Sequence, residues 1–152
     1  MPRANPIIPP PGQSRVEQWL DQPIVRDWSA YAEFFGPDEF ACSATGVCEM
    51  QVRFLDLLLQ IRRSYGRPMR ITSGYRHPTH PIEAAKGGLS RGEHTMGACC
   101  DVAAEGDAAL ILMQYALAAG ITRLGVNQKG TGRFLHLGVG GPGLANPWVW
   151  SY

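Results

Sequence analysis

Several features that would assign the chain to a broad class are scarce or absent. The net charge is only +1 and no run of Lys or Arg occurs, so the sequence has no electrostatic footprint for nucleic acid. No apolar run approaches about 18 residues, the length that a bilayer-spanning helix requires. No segment repeats elsewhere in the chain. These absences argue against nucleic acid or a membrane as partners and against a repeat architecture.

Cysteine is also sparse, with four residues that allow three full pairings. In a protein made in the cytosol the default state is the free thiol. Cys42 and Cys48 share a Gly-containing loop and could form a disulfide or half of a second metal site, but plain thiols are the simpler interpretation. Cys99 and Cys100 are adjacent and are interpreted as small packing residues.

The N-terminal segment, MPRANPIIPPPGQ, lacks the apolar core of a secretory signal, so we expect synthesis in the cytosol and action after release. Residues 1–13 are Pro-rich and are predicted to form an extended arm. Ser14 and Glu17 match a capping box for a short helix that would run to about Leu20. Residues 14–152 are long enough for one domain with its own core.

The apolar pattern of that domain predicts helices and strands in a mixed order. Helices are expected at residues 49–65 and 106–119, each ended by a glycine. Strands are expected at residues 69–72, 99–103, 121–126 and 133–139. The tail, GGPGLANPWVWSY, is expected to be irregular, with its aromatic side chains packed back on the domain. This order predicts an α+β fold.

One set of polar residues is a candidate for a metal site. His94 and Asp101 are separated by a spacing that suits a loop residue followed by a residue on the next strand, and Gly97 lets the backbone turn between them. His136 alternates with Leu135 and Leu137 in a predicted strand. Two histidines and one carboxylate form a known catalytic zinc set. By spacing alone the set is also compatible with ordinary structural residues.

Several separated motifs occur in an order that resembles the zinc D-Ala-D-Ala carboxypeptidases, whose superfamily includes lysostaphin-type peptidases and the hedgehog signalling domain. The motifs are ITSGYR at residues 71–76, Gly87-Gly88, Ser90 through His94, Gly97-Ala98 through Asp101, and Phe134 through His136. The resemblance implies a small antiparallel sheet flanked by helices and a zinc peptidase that cuts peptide bonds in bacterial peptidoglycan. It also implies that Zn²⁺ is held by His94, Asp101 and His136.

The same resemblance assigns further residues to the site. It implies that Arg76 faces the substrate as a catalytic and binding residue, because a guanidinium can grip a carboxylate or stabilise a developing oxyanion. Ser73 and Ser90 match polar positions that line the cleft. Tyr75 is interpreted as a wall of that cleft.

The sequence departs from its relatives at two positions near the last histidine. Many relatives have Asp at the position of Gly138, where it would support a metal ligand. Some have an acidic general base at the position of Arg133. Glu93, Glu83 and His80 are possible substitutes for the base, and Glu93 is the candidate that we place with Arg76 in the catalytic set.

Two functional hypotheses follow. The first is a lysin-like zinc metallopeptidase, either a D-Ala-D-Ala carboxypeptidase or an endopeptidase, acting on peptidoglycan stem peptides. Small relatives without a signal resemble phage or prophage wall enzymes, so a phage virion is one expected location. The second is a non-catalytic virion or tail protein on the same zinc-binding fold, with other virion proteins as partners. A plain α+β domain without metal is the third possibility.

Overall fold

The computed structural model describes residues 22–86 and 92–152. The predicted arm at residues 1–13, the helix starting at Ser14 and the cleft residue Ser90 lie outside these ranges. The helices and strands of the described chain follow one another in the order α1 (Pro37–Phe40), α2 (Val52–Tyr65), β1 (Arg70–Ser73), α3 (Pro81–Ala84), α4 (Glu93–Met96), β2 (Cys99–Ala103), α5 (Gly106–Ala119), β3 (Arg123–Asn127), β4 (Phe134–Gly138) and β5 (Trp148–Ser151).

The strands form one five-stranded sheet in the order β1-β2-β4-β3-β5. All neighbouring pairs are antiparallel except β3 and β5, which run parallel. The sheet and its helices confirm the α+β prediction. Residues that lie opposite one another on paired strands point to the same face of a sheet. One such row crosses all five strands and consists of Ser73, Asp101, His136, Gly125 and Trp150.

The other face of the sheet is apolar and belongs to the core. Because side chains alternate along a strand, the neighbours of the row residues point the opposite way. These neighbours are buried and include Cys100, Val102, Leu135, Leu137 and Leu124. The sequence pattern therefore gives the sheet one face for packing and one face for a polar site.

Helix α2 contributes four large apolar side chains to the core. Phe54, Leu55, Leu58 and Ile61 are fully buried on one side of the helix. The helix ends at Gly66, whose left-handed backbone (φ 69°) suits a residue without a side chain. Helix α5 packs against α2 and adds a second apolar surface to the core.

The predicted start of α2 was too early. Residues 49–51 are extended rather than helical, because their backbone groups bond to neighbouring segments. Val25 donates its amide to the Met50 carbonyl (2.8 Å), and Gln51 donates its own to the Gly97 carbonyl (2.9 Å). The second long helix and strand β2 match the predicted bounds, residues 106–119 and 99–103.

The prediction of a wholly irregular tail was wrong. Residues Trp148–Ser151 form β5, which adds to the sheet beside β3. The expected return of the aromatic side chains is confirmed for two of them, since the Trp150 ring lies 4.8 Å from the His136 ring and the Tyr152 ring 4.9 Å from the Phe134 ring, whereas Trp148 is exposed. Among the described residues, no helix has both the length and the apolar character to cross a bilayer.

Candidate metal centre

The polar face of the sheet brings together residues that are far apart in the sequence. Asp101 on β2 lies directly opposite His136 on β4. His94 reaches the same place from the short helix α4, which is separated from β2 by two residues, Gly97 and Ala98. The turn between them depends on Gly97, which has a left-handed φ of 67° and no room for a Cβ, since that atom would lie 1.9 Å from the Glu49 carbonyl oxygen. The chain can make this turn only with glycine.

The three residues predicted to hold a metal meet in the structure. One oxygen of Asp101 lies 3.1 Å from His136 Nδ1, and the other lies 3.5 Å from His94 Nε2. All three residues are buried, with exposed fractions of 7% for His94, 6% for Asp101 and 4% for His136. The structure therefore places the predicted donors around one centre, while their role as ligands stays a prediction.

The donor set fits zinc. Ligand atoms about 2.0–2.2 Å from a tetrahedral zinc ion lie roughly 3.3–3.6 Å from one another. The two separations around Asp101, each to a different carboxylate oxygen, are close to this range. His94 Nδ1 lies 2.7 Å from the Gly74 carbonyl oxygen. A carbonyl only accepts, so Nδ1 carries a proton, and Nε2, on the side of Asp101, is the nitrogen that a metal would bind. This is the arrangement in which a metal-binding histidine is oriented by a second hydrogen bond.

Cys99 is a second candidate for the third donor. Its sulfur and one nitrogen each of His94 and His136 lie within 4.8 Å of one another. Burial, followed by the nearby charges of Glu93 and Asp101, raises the pKa of the Cys99 thiol well above its usual value. We favour Asp101, because its carboxylate directly contacts both imidazoles and is ionised. The sequence does contain a reason to consider Cys99 as a ligand, which its interpretation as a packing residue left out. Cys99 lies two residues before Asp101, so both side chains point to the same face of β2.

Asp101 and His136 each favour the charged form of the other. Burial favours the neutral form of Asp101, but hydrogen bonds from His136 and His94 and their positive charge outweigh it, so the pKa of Asp101 falls well below its usual range. Burial likewise lowers the pKa of His136, but hydrogen bonds to Asp101 and Glu93 more than offset this and raise it. The centre therefore stabilises a positive charge beside its carboxylates, as a metal site must.

Glu93, predicted as a catalytic residue, lies on the opposite side of His136 from Asp101. Its Oε1 is 3.0 Å from His136 Nε2, and its Oε2 accepts the Gly140 amide at 3.0 Å. Arg123 donates its Nε to the same carboxylate. Burial raises the pKa of Glu93, but hydrogen bonds from His136 and Arg123 outweigh it and leave the pKa below its usual value. Sequence reasoning missed Arg123, which pairs with Gly138 across β3 and β4.

Arg76 lies at the mouth of the centre. Its side chain is 18% exposed, and its NH2 group is 3.6 Å from Asp101 Oδ2. Its NH1 group is 3.5 Å from Glu83, a buried carboxylate that also contacts Lys86. The guanidinium thus lies beside the candidate metal site, and its two carboxylate neighbours help to hold its orientation. This placement agrees with the predicted role of Arg76 without testing it.

A small polar pocket adjoins Arg76. It is lined by predicted substrate-binding residues and their neighbours, among them Ser73, Tyr75, Arg76, Ser43 and His80. His80 has its Nε2 3.2 Å from Ser43 Oγ, and its Nδ1 accepts the Ile82 amide at 3.2 Å at the start of α3. Both nitrogens of His80 thus have local partners, which makes it a poor substitute for the general base.

Trp150 covers the far side of His136. Its indole packs against the His136 ring, and the Arg123 guanidinium lies 5.1 Å from the centre of the indole. Gly125, between Trp150 and His136 in the row, permits this contact, because a Cβ there would lie 2.7 Å from the indole. The C-terminal strand therefore closes one side of the centre.

A comparison with protein-family models gives a match. The Peptidase M15 family model matches residues 33–138, which include Arg76, His94, Asp101 and His136. A search of curated proteins gives no match. The matched region ends at the last residue of β4, so β5 lies outside it.

Proposed function

Because the chain belongs to the Peptidase M15 family, we propose that it is a zinc-dependent peptidase that hydrolyses peptide bonds in the stem peptides of bacterial peptidoglycan. Membership supports peptidase activity; the zinc and the wall substrate are part of the proposal. The observation that carries it is the meeting of His94, Asp101 and His136 around one buried centre at the edge of a polar cleft. The bond is a D-Ala-D-Ala bond at a chain end or an internal bond of the stem peptide.

Different residues of the chain would have different roles in such a site. His94, Asp101 and His136 would hold the ion, which when bound polarises a carbonyl and lowers the pKa of water. Arg76 faces the centre with a fixed positive charge and would bind a substrate carboxylate or the oxygen of the scissile carbonyl. The pocket beside it would receive the adjoining part of the peptide, with Ser73 and Tyr75 on its lining.

A second candidate function is kept because of one observation. Arg133, at the position where some relatives carry an acidic base, is directed to the Gly130 carbonyl at 2.9 Å and offers no carboxylate. Glu93 and His80 already bond to other groups. A site without a free acidic base suits a chain that binds zinc and wall peptide without efficient cleavage, such as a phage virion or tail component. In either function we propose that the chain acts at the cell wall after release from the cell or within a virion.

Digestion of purified peptidoglycan tests the proposal. The protein with zinc should release new muropeptide fragments, and a chelator should abolish the release. His136→Ala should be inactive, whereas His77→Ala should retain activity, because the His77 ring bonds to Thr79 within its own loop and to no other group among the described residues. Unchanged muropeptides with zinc-loaded protein would reject the peptidase and favour the virion protein. The mass of the fragments identifies the bond.

A further inference from the structure

The Glu93 carboxylate lies on the side of the His136 ring that is turned away from Asp101, the candidate metal ligand. It contacts Nε2 of His136, while Asp101 contacts Nδ1 of the same ring. Both ring nitrogens therefore face a carboxylate oxygen, and a carboxylate accepts and does not donate, so without a metal each nitrogen can carry a proton. A metal beside Asp101 and His94 would take the place of the proton on Nδ1 and leave the ring its proton on Nε2. Glu93 accepts that remaining proton and so favours the tautomer that binds a metal through Nδ1.

We propose that Glu93 is a positioning residue that fixes the tautomer and ring orientation of His136 for metal binding, and that it is not the general base. The proposal rests on the zinc centre of the proposed function, but it does not depend on catalysis. It assigns to a residue of α4 the support of a ligand on β4. Carboxylates behind metal-bound histidines raise the basicity of the ring and hold it in place.

The Glu93 carboxylate is itself held in place. Only 4% of the residue is exposed. Arg123 donates to Oε1, the oxygen that also contacts His136, and the Gly140 amide donates to Oε2. A group that already accepts from three donors in a buried position is poorly suited to collect a proton from a substrate or water. The same bonds make it suited to orient a ring.

Gly138 provides the space for this carboxylate. A Cβ at Gly138 would lie 1.9 Å from Glu93 Oε2 and 2.7 Å from its carboxyl carbon. Any side chain at this position would therefore displace Glu93. The position of Glu93 on α4 therefore depends on the absence of a side chain at Gly138 on β4. If Glu93 is shortened, a carboxylate introduced at position 138 could occupy the space that it leaves.

Zinc affinity, measured by competition with a chromogenic chelator, tests the proposal. Glu93→Ala should weaken zinc binding by about 10- to 100-fold, the range seen for partners of metal ligands. Glu93→Gln, which keeps an acceptor oxygen, should lose less. Asp56→Asn is the matched control: it removes a carboxylate that accepts from the Tyr31 hydroxyl at 2.7 Å on α2, and it should leave zinc affinity unchanged.

A relocation variant separates positioning from general stability. Gly138→Asp alone should weaken zinc binding, because two carboxylates then compete for one space. In the double variant Glu93→Ala/Gly138→Asp the new carboxylate should recover most of the affinity that Glu93→Ala loses. Wild-type affinity in Glu93→Ala would overturn the proposal. If Glu93→Ala does not fold, failure of a folded double variant to bind zinc more tightly than Gly138→Asp would overturn it.

The outcome is distinguishable from that of the proposed function. Glu93→Ala with weakened zinc binding would support the inference even if wild-type protein cuts no peptidoglycan. Conversely, peptidoglycan cleavage combined with unchanged zinc affinity in Glu93→Ala would keep the peptidase and reject the positioning role.

Discussion

At the scale of single residues, Asp101 and Cys99 lie close enough to the two histidines to compete as the third zinc ligand. Both project from the same face of β2, and both are buried. The carboxylate is the better donor, because it contacts His94 and His136 directly and carries its charge before a metal arrives. The neutral thiol would have to release a proton against a raised pKa.

Asp101→Asn and Cys99→Ser separate these alternatives. We expect Asp101→Asn to weaken zinc binding by more than about 100-fold, beyond the range typical of residues that only support a ligand. Cys99→Ser should bind about one zinc ion per chain, as the wild type should. The measurement is zinc content after dialysis, by elemental analysis. The reverse pattern, with zinc lost in Cys99→Ser and kept in Asp101→Asn, would replace Asp101 by Cys99 in the ligand set.

Individual residues also show how far the sequence could predict the site. His94, Asp101, His136 and Arg76 could be proposed from the motifs that carry the resemblance, because each motif is local, and their roles stay predictions. The partner of His136 could not: Glu93 is 43 residues away in the chain and Arg123 is 30 residues from Glu93. Such contacts depend on strand register and on the space at Gly138, which only the folded sheet defines. Ser90 lies outside the described residues, so its predicted place in the cleft stays a prediction.

At the scale of elements, the junction of α4 and β2 sets the distance between His94 and Asp101. Gly97 makes this junction with a left-handed backbone against the Glu49 carbonyl, where a side chain has no room. We expect Gly97→Ala to lower the free energy of unfolding by more than about 1 kcal/mol, from backbone strain and overlap together. Urea unfolding of the metal-free protein measures it.

Gly46→Ala is the matched control for this substitution. Gly46 has a similar positive φ of 73°, but no atom lies within 4 Å of its added Cβ. It should therefore show the backbone cost alone, roughly 1 kcal/mol. Equal effects at the two glycines would show that the packing of the α4–β2 junction is unimportant.

Strand β5 is the second element that shapes the centre. Its Trp150 packs on His136, whereas Trp148 is 56% exposed at the start of the strand. We expect zinc binding to change the tryptophan fluorescence through Trp150, since the ion alters the charge of the ring that it contacts. Trp150→Phe should lose most of the zinc-dependent change, and Trp148→Phe should keep it. A full response in Trp150→Phe would place the zinc away from His136.

There is a physical reason why the sequence did not predict β5. The segment before it is rich in Gly and Pro, and a short strand has no local signal that distinguishes it from an irregular tail. Its partner, β3, is parallel and distant in sequence, so the pairing depends on the whole sheet. The long helices were predictable because their apolar periodicity and terminal glycines are local features.

At the scale of the whole molecule, the candidate zinc centre joins a helix and two strands. His94 comes from α4, Asp101 from β2 and His136 from β4, so the three donors converge only in the folded chain. A ligand that binds the folded state alone stabilises it. The α+β class could be predicted from element order, but the strand order β1-β2-β4-β3-β5 could not, because it follows from non-local pairing.

Removal of zinc should therefore destabilise the protein. At a free zinc concentration 100 times the dissociation constant, we expect the free energy of unfolding to exceed that of the chelated protein by about 2.7 kcal/mol. Chemical unfolding with and without chelator measures the difference. His136→Ala should show no such shift. An equal shift in this variant would mean that zinc binds elsewhere on the chain.

The most direct measurement is an anomalous difference map, recorded at the zinc absorption edge, from crystals of the zinc-loaded protein. We expect one strong peak on the polar face of the sheet, about 2.0–2.2 Å from His94 Nε2, an Asp101 carboxylate oxygen and His136 Nδ1. Glu93 should remain on the Nε2 side of His136. A peak bound through His136 Nε2 or Cys99, or no peak among these residues, would contradict this expectation.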